Sequence, residues 1–414
     1  MNLKAGIPKD YMGIIEKITQ IATDNNYVIY AVGGFVRDLI INRFPNDLDI
    51  MVEKDNGGIE FAQLLSKKLN LSEPVIFERF GTAKLIIENQ EIEFIMPRKE
   101  YYDENSRNPD TEIGSLEQDA LRRDFTINAL FLRLNDMELI DLSGNGLKDI
   151  KDKIIRVTDE SASDIIFQQD PLRILRAIRQ SVQLEFKIEQ KTYESMQKNI
   201  ERIKIVSPER IRDEINKMLI SDESSKAFHM LKTLGLLDII FPELTEEILI
   251  VFLDEIPKEL ELKLAVLLYQ VKDVDAVLMR LKYSKDIIKK VSLLIDGLKY
   301  VKLYKKQWTD YEIRKFEKKY RQIIADLRNL HLTEYMKDTG YLFEKIYAMS
   351  LDNNLVPEKD IFDGNELIDI FNKPSGKWIS DVKSYIEELQ YKNPKITKDE
   401  IIKEIKLLLK NQSI

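Results

Sequence analysis

The sequence predicts an α+β protein, with a mixed β-sheet and helices in its N-terminal part and helices alone after it. Short β-rich runs bounded by turn residues recur as far as about Lys151, and they read YVIYAVGG, NDLDIMVE, AKLIIEN, EIEFIMP, FTINALFLRL and MELIDL. Beyond that point helical periodicity continues through nearly the whole remainder. Because 414 residues exceed what one hydrophobic core usually organises, we expect several domains in series.

The composition excludes several kinds of site. The chain has no cysteine, which excludes disulfides, thiolate metal sites and cysteine nucleophiles, and its two histidines are too few for a histidine-based zinc site. A catalytic metal would therefore be held by carboxylates, which favours a hard ion such as Mg²⁺. No apolar run approaches the roughly 20 residues of a membrane span, and the N-terminal residues lack the apolar core of an export signal. We expect a cytoplasmic protein that does not enter membranes.

Positive charge is concentrated in one helical segment, although the chain as a whole is acidic. The formal net charge is −8, yet the segment from Lys282 to Arg321 contains thirteen Lys or Arg against five Asp or Glu. Such a segment forms either a solvated helix face or a surface that follows nucleic-acid phosphates. Its aromatic residues could stack on RNA, but packing between helices is the expected use for most of Tyr283, Tyr300, Tyr304, Trp308 and Tyr311.

The most informative local pattern is a glycine pair followed by two aspartates. Gly33 and Gly34 separate an apolar strand from a helical pattern that contains Arg37, so backbone N–H groups there can approach a polyphosphate. Asp47 and Asp49 occupy alternate positions of the next strand and so point to one face, where they can hold a divalent cation. A lone Asp-x-Asp is usually a charged strand edge, but the preceding glycines favour a nucleotidyl-transfer site. Two metal ions there would activate a hydroxyl and stabilise the leaving pyrophosphate.

A second pattern is Asp170 followed three residues later by Arg173. This spacing predicts that both side chains share one face of a helix and present an acceptor beside a donor. Cytosine and adenine carry an exocyclic amine next to an unprotonated ring nitrogen, whereas uracil and guanine present the reverse pattern. The pair would accept C and A and reject U and G, unless it is an ordinary ion pair of a helix.

These motifs together resemble the successive motifs of class II tRNA nucleotidyltransferases and bacterial poly(A) polymerases. The resemblance covers about the first 220 residues, and its segments are Gly33 to Asp49, Arg122 to Ala129, Asp141 to Gly146, Asp170 to Arg176 and Glu209 to Glu214. It implies an enzyme that adds C, C and A to the 3′ end of tRNA from CTP and ATP with two Mg²⁺ ions. The alternatives are a CC-only or A-only enzyme, a poly(A) polymerase and a catalytically silent tRNA-binding protein.

The resemblance also implies a role for each matched residue. The triphosphate would be held by Gly33, Gly34 and Arg37, the metal by Asp47 and Asp49, the ribose and phosphates by Arg123 and Asp124, and the rest of the nucleotide by Asp170, Arg173 and Arg176. A surface ion pair is the alternative for Arg123 and Asp124, and an exposed strand position is the alternative for Glu93 as a third carboxylate. One position departs from the family: Gln169 stands where a glutamate is usual, which removes a charge that could orient Arg173.

Four domains follow from the same resemblance. They are a nucleotidyltransferase head (1–155), a helical neck that recognises the base (156–222), a helical body (223–300) and a helical tail that binds tRNA (301–414). The acceptor arm and 3′ end of tRNA would be the partner, and the sequence names no protein partner. The polar segment from Pro97 to Asp110 is either a plain surface loop or the loop that switches the site from C to A, with contacts from Arg107 and Asp110.

Overall fold

A mixed sheet of seven strands organises the N-terminal part of the computed structural model. The structure describes residues 3–45, 47–101, 110–244, 250–304, 308–331 and 340–411. Within them the strands are β1 (Ile29–Val32), β2 (Leu48–Val52), β3 (Val75–Phe77), β4 (Thr82–Ile87), β5 (Gln90–Ile95), β6 (Arg98–Tyr101), β7 (Asp110–Ile113), β8 (Leu130–Arg133), β9 (Glu138–Asp141), β10 (Ile154–Ile155) and β11 (Lys187–Ile188).

The six strand-forming runs predicted from sequence correspond to β1, β2, β4, β5, β8 and β9. The strand order in the sheet is β3-β4-β5-β2-β1-β8-β9. Neighbouring strands are antiparallel except β2 and β5, which are parallel, so the sheet is mixed as predicted. All of β1 is buried, as a central strand between two neighbours should be. Asp49 of β2 lies between Val32 on one side and Glu93 on the other. This register brings two carboxylates together at the middle of the sheet.

The chain divides into two units, Met1–Pro242 and Glu243–Ile414. Besides the strands, the first unit contains the helices α1 (Lys9–Asp24), α2 (Gly34–Ile40), α3 (Gly57–Leu69), α4 (Leu116–Arg122), α5 (Gly146–Asp152), α6 (Ser163–Gln169), α7 (Leu172–Leu184), α8 (Gln190–Asn199), α9 (Pro208–Leu219), α10 (Ser224–Thr233) and α11 (Leu236–Ile240). After Lys151 the described residues contain a small parallel pair, β10 with β11, and an isolated bridge between Phe125 and Val157.

The second unit is helical throughout its described residues, which confirms the predicted change of pattern. Its helices are α12 (Leu260–Leu267), α13 (Val274–Arg280), α14 (Lys285–Lys302), α15 (Asp310–Tyr320), α16 (Ile324–His331), α17 (Gly340–Leu351), α18 (Gly364–Phe371), α19 (Trp378–Lys392) and α20 (Lys398–Asn411). No helix in the described ranges has the length and apolar character needed to span a bilayer. The three boundaries between the four predicted domains stay predictions, and the one at residue 300 falls inside α14, near its end.

Aromatic residues of the basic segment pack against one another in this second unit. The ring of Tyr300 lies 5.4 Å from Trp308, 5.8 Å from Phe316 and 6.0 Å from Tyr320, measured between centroids. Tyr304 contacts Trp308 at 4.9 Å. Edge-to-face and tilted packing of this kind belongs to a helical core. The expectation that most of these aromatics pack between helices agrees with these contacts.

The segment from Pro97 to Asp110, predicted as a loop, includes β6 and the first residue of β7, and these two strands form a hairpin. Strand β6 pairs with β7, and Tyr101 is paired with Asp110 at the far end of the hairpin. Residues 102–109 lie outside the described part of the chain, and Arg107 is among them. The proposed part of Arg107 and Asp110 in switching from C to A therefore stays a prediction.

Candidate active site

The glycine pair stands where the central strand β1 turns into α2. Gly33 has φ = +70°, a backbone conformation that favours glycine, and it precedes the first residue of the helix. A Cβ atom added to Gly33 would lie 3.2 Å from Nη1 of Arg123. Glycine at this position therefore allows both the turn and the close approach of the arginine.

Arg37 is held in place by three neighbours. Its Nε donates to Asp38 Oδ1 at 2.8 Å, and its Nη1 donates to Asn128 Oδ1 at 2.7 Å and to Gln180 Oε1 at 3.4 Å. Only 14% of the side chain is exposed. The guanidinium predicted to bind phosphate is thus fixed before any ligand arrives, with one edge tied to Asn128 and the other to Asp38.

Asp49 lies in β2 and Asp47 directly precedes it, and their burial follows the predicted alternation. Leu48 and Ile50 are buried, whereas Asp47 is exposed and Asp49 is half-buried. Burial and the neighbouring Glu93 raise the pKa of Asp49 to about 6, although Arg123 acts in the opposite direction. An excess of negative charge on carboxylate oxygens is the setting that a hard divalent cation fits. Within the described ranges no cluster of three or more Asp, Glu, His or Cys side chains could hold a metal, so the candidate is this pair.

Arg123 is fixed by a buried carboxylate that the sequence did not single out. Asp119, which is fully buried, accepts from Arg123 Nε at 2.9 Å and from Arg122 Nε at 2.8 Å. Burial alone would raise the pKa of Asp119, but the two guanidinium groups lower it below its ordinary value. Nη1 of Arg123 also donates to the carbonyl of Asn128 at 3.3 Å. The spacing of Asp119 three and four residues before the arginines, on one helix, is the signal that could have identified it.

The Asp124 carboxylate links the segment after α4 to helix α7 through hydrogen bonds. Its Oδ1 accepts from Asn128 Nδ2 at 2.9 Å, and its Oδ2 accepts from Arg176 Nε at 2.8 Å. Burial opposes ionisation here, but Arg176 and Asn128 hold the pKa of Asp124 well below its usual range. Both oxygens therefore already have partners. Contact with a ribose hydroxyl stays a prediction for this residue, while its bonds show that it orients Arg176.

Asn128 and Gln180 complete this network, and neither was predicted from sequence. The Asn128 amide donates to Asp124 and, at 2.9 Å, to Gln180 Oε1, while its oxygen accepts from Arg37. Both amides are almost fully buried. They link Arg37, which precedes them by 91 and 143 residues, to α7. Amides suit this position because each one donates and accepts at once.

The expectation that Asp170 and Arg173 lie on one face of a helix is wrong. Helix α6 ends at Gln169, and Asp170 has an extended backbone with φ = −135° and ψ = 94° before Pro171. The proline disfavours helical geometry in the residue before it, so the break is dictated locally. Helix α7 begins only at Leu172. Asp170 therefore lies before α7, whereas Arg173 lies in its first turn.

Asp170 and Arg173 each have other partners. The Asp170 carboxylate accepts from Arg210 Nη2 at 2.7 Å and Nη1 at 3.3 Å, and from the backbone N–H of Leu172 at 3.2 Å. Arg173 is 7% exposed, and its Nη2 donates to the carbonyl of Arg122 at 2.7 Å. Arg210 is a further residue that sequence reasoning missed, because it comes from α9, 40 residues away.

Comparison with known protein families gives matches along most of the chain. Residues 29–156 match the poly(A) polymerase head domain, residues 185–248 match the RNA- and SrmB-binding site of polymerase A, and residues 257–405 match domain 2 of tRNA nucleotidyltransferases. The first match contains the glycine pair, both aspartates and Arg123 with Asp124. The predicted resemblance is therefore confirmed.

Individual relatives agree with these matches. The chain is 28% identical over 392 residues to a CCA-adding enzyme of Staphylococcus epidermidis, which covers 92% of this chain and 94% of the relative. It is 33% identical over 245 residues to an A-adding tRNA nucleotidyltransferase of Geobacter sulfurreducens, covering 58% of this chain and 27% of that one. The chain spans about half the length, or less, of the first curated relatives it matches.

A solved structure shares the fold. The crystal structure of Bacillus stearothermophilus CCA-adding enzyme in complex with CTP superposes with a TM-score of 0.78 over 98% of this chain and 99% of that chain, at 20% identity. The predicted fold class, a mixed-sheet head followed by helical segments, is confirmed by this likeness.

Proposed function

The chain belongs to the family of class II tRNA nucleotidyltransferases and bacterial poly(A) polymerases, and within it we propose that this nucleotidyltransferase adds C, C and A to the 3′ end of tRNA from CTP and ATP. The observation that carries the proposal is the buried network from Arg37 through Asn128 and Asp124 to Arg176. It ties the glycine turn and the sheet to the helix that follows Asp170. A nucleotide could thus contact phosphate-binding and base-reading groups together.

The proposed metal is Mg²⁺, in two ions, held by Asp47 and Asp49. The oxygen-only donors and the raised pKa of Asp49 suit a hard divalent cation. When bound, the ions would activate the terminal 3′-hydroxyl and neutralise the leaving pyrophosphate. Glu93 adds negative charge beside Asp49 and so strengthens the attraction for cations.

The protein's own groups would position the triphosphate. The turn at Gly33 and Gly34 would let the triphosphate approach the start of α2, where Arg37 and Arg123 supply hydrogen-bond donors; Asp49 is close to this turn, because it pairs with Val32 and is affected by the charge of Arg123. Asn128 already holds Arg37, and Asp119 already holds Arg123. Nucleotide binding therefore requires little further ordering of these two side chains. Fixed donors of this kind stabilise developing negative charge without reorganisation.

Base choice would belong to the α6–α7 break, where Asp170 offers the acceptor for an exocyclic amine. Arg173 and Arg176 would complete nucleotide binding, Arg173 after release of its bond to the Arg122 carbonyl. Since tRNA, CTP and ATP are the proposed substrates, a cytoplasmic location belongs to the same proposal.

An A-only enzyme is the second candidate, because relatives at 33% and 40% identity are named A-adding tRNA nucleotidyltransferases. Extension of three tRNA transcripts, ending before CCA, after C and after CC, separates the candidates. Each is incubated with Mg²⁺ and the nucleoside triphosphates singly and together. Complete CCA on the first transcript is expected. Reaction of only the CC-ended transcript with ATP would reassign the protein as A-adding, stalling at CC would make it CC-adding, and tRNA binding without pyrophosphate release would make it a silent binder.

The acceptor arm of tRNA is proposed to lie along the basic segment, with its exposed lysines binding the phosphates. Two arginines of the segment are used internally: Arg314 donates to the carbonyl of Asn354 at 2.8 Å, and Arg321 pairs with the buried Glu317 at 2.6 Å. In the described part of the chain, Lys285 and Lys289 of α14 are exposed and form no ion pair. We therefore assign the proposed tRNA contact of the basic segment first to these two lysines.

A further inference from the structure

The carboxylate proposed to read the base is clamped by an arginine from another helix. Arg210 of α9 approaches Asp170 with two nitrogens, Nη2 at 2.7 Å from Oδ2 and Nη1 at 3.3 Å from Oδ1. The backbone N–H of Leu172 donates to Oδ1 as well. Asp170 stands in an extended break between two helices, so no helical packing fixes its side chain. Arg210 therefore supplies the side-chain hydrogen bonds that hold this carboxylate, beside the one from the Leu172 backbone.

Arg173 is oriented by other groups, which are two backbone carbonyls. Its Nη2 donates to the carbonyl of Arg122, and its Nη1 lies 3.5 Å from the carbonyl of Ile166. Neither contact involves Gln169, the position where the family usually has glutamate. Among the described residues, the Gln169 side chain has no hydrogen-bond partner. A neutral residue there leaves both members of the base-reading pair held by other groups.

We propose that Arg210 is a positioning residue for nucleotide selection: it fixes the direction in which Asp170 presents its acceptor oxygens to the base. This inference rests on the proposed function, because it assigns Asp170 to the bases of CTP and ATP. Arg210 is 40% exposed and Asp170 17%, so the pair lies at an accessible surface where a ligand can reach the carboxylate. Each carboxylate oxygen has lone pairs left after it accepts from Arg210.

The direction in which the Asp170 carboxylate points should decide which bases it accepts a hydrogen bond from. A fixed carboxylate accepts from an amine at one edge of the base and repels a carbonyl oxygen at the same place. A carboxylate that rotates freely can turn to accept from the ring N–H of uracil or guanine instead. Loss of Arg210 should therefore weaken the preference for CTP over UTP more than it weakens transfer itself.

The test compares Arg210→Ala, Arg210→Lys and Arg212→Ala in the full chain. Arg212 is a matched control on the same helix, where it pairs with the exposed Asp213 at 2.8 Å. The readout is the ratio of kcat/KM for CTP to that for UTP, on tRNA ending before CCA. We expect Arg210→Ala to lower this ratio about tenfold or more, Arg210→Lys to restore part of it, and Arg212→Ala to leave it unchanged.

The ratio does not depend on how much of a variant is folded, because both substrates are measured on the same molecules. An unchanged ratio in Arg210→Ala would overturn the inference, as would an equal loss in Arg212→Ala. If the wild-type chain incorporates neither nucleotide, the proposed function fails by itself. The same ratio is then measured as equilibrium dissociation constants of CTP and UTP without tRNA. Discrimination there that is lost in Arg210→Ala supports the clamp, and discrimination that is retained refutes it.

Discussion

The phosphate side of the candidate site and its base-reading side are built in different ways. On the phosphate side, Arg37 and Arg123 each bond a carboxylate one or four residues away, Asp38 and Asp119. On the base side, Asp170 and Arg173 are held by Arg210 and the Arg122 carbonyl, 40 and 51 residues away. The carboxylates that anchor the first side are thus close in sequence, although Arg37 also bonds Asn128 and Gln180 from farther along the chain. The side-chain anchors of the second side come from separate helices. We therefore expect transfer and nucleotide choice to be separable by mutation.

The largest expected effect is on transfer alone. Replacement of Asp49 by Asn removes the buried half of the proposed metal pair and should lower kcat for every nucleotide by about a thousandfold, because metal stabilisation of the transferring phosphoryl group is lost. Glu91→Gln is the control, since Glu91 is an exposed residue of β5 that pairs with Lys84 at 2.6 Å. Single-nucleotide incorporation measures both. Near-wild-type activity in Asp49→Asn would remove this residue from the metal site.

A smaller effect is expected from Asp119→Asn, which weakens the anchor of Arg122 and Arg123. Loss of one charge from a buried cluster should reduce the free energy of unfolding by about 3 kcal/mol and raise KM for CTP and ATP alike. The measurements are urea unfolding and steady-state kinetics. Glu117→Gln, an exposed neighbour on α4, should change neither. A shift in the CTP to UTP ratio would show that this anchor also serves base choice, against the proposed separation.

The pH dependence of the free energy of unfolding should show that Asp124, which links the two sides of the site, is ionised in the folded protein. Its pKa is lowered on folding, so its contribution to stability is present above the unfolded pKa of about 4 and is lost as pH falls toward the folded value. Between pH 4 and pH 3 this single group should account for a loss of about 1 kcal/mol, which is below the limiting slope of about 1.4 kcal/mol per pH unit because the unfolded carboxyl is only partly protonated at pH 4. Urea unfolding at pH 3 and pH 4 measures the slope. It should be shallower by that amount in Asp124→Asn, and an unaltered slope would contradict the assignment.

The smallest effect is expected from the exposed lysines of α14, a helix of the second unit. Lys285→Gln with Lys289→Gln should weaken tRNA affinity a few-fold and reduce the dependence of log affinity on log salt by one to two, because each lysine that binds a phosphate contributes about one to that slope. Lys383 and Lys398 form ion pairs with Asp360 and Glu366 and serve as the control pair. A salt titration of tRNA binding decides, and an identical slope would place the acceptor arm elsewhere.

Sequence reasoning succeeded where structure is set by nearby residues. The predicted alternation agrees with the burial of Leu48 and Ile50 and the exposure of Asp47 and, in part, Asp49. The glycine turn at Gly33 was found from its position between strand and helix. It failed where a local rule was misapplied: three-residue spacing predicted a shared helix face, although Pro171 forces a break at Asp170.

Long-range partners could not be predicted from spacing at all. Asp124 bonds Arg176 across 52 residues, and Arg37 reaches Gln180 across 143. Such pairs depend on the packing of α7 against the head, which no local pattern encodes. Three residues were missed from sequence because they have partners far along the chain: Asn128, Gln180 and Arg210. Asp119 was also missed, but a search at helical spacing would have found it.

The most direct test of the central claim, that the head transfers and the neck selects, is the nucleotide preference of Asp170→Ala. The ratio of kcat/KM for CTP to that for UTP is measured on tRNA ending before CCA. The proposal predicts that this ratio collapses toward one, while the rate with the best nucleotide stays within about tenfold of wild type. Equal loss of activity with all four nucleotides, at an unchanged ratio, would contradict it and assign Asp170 to the structure of the neck.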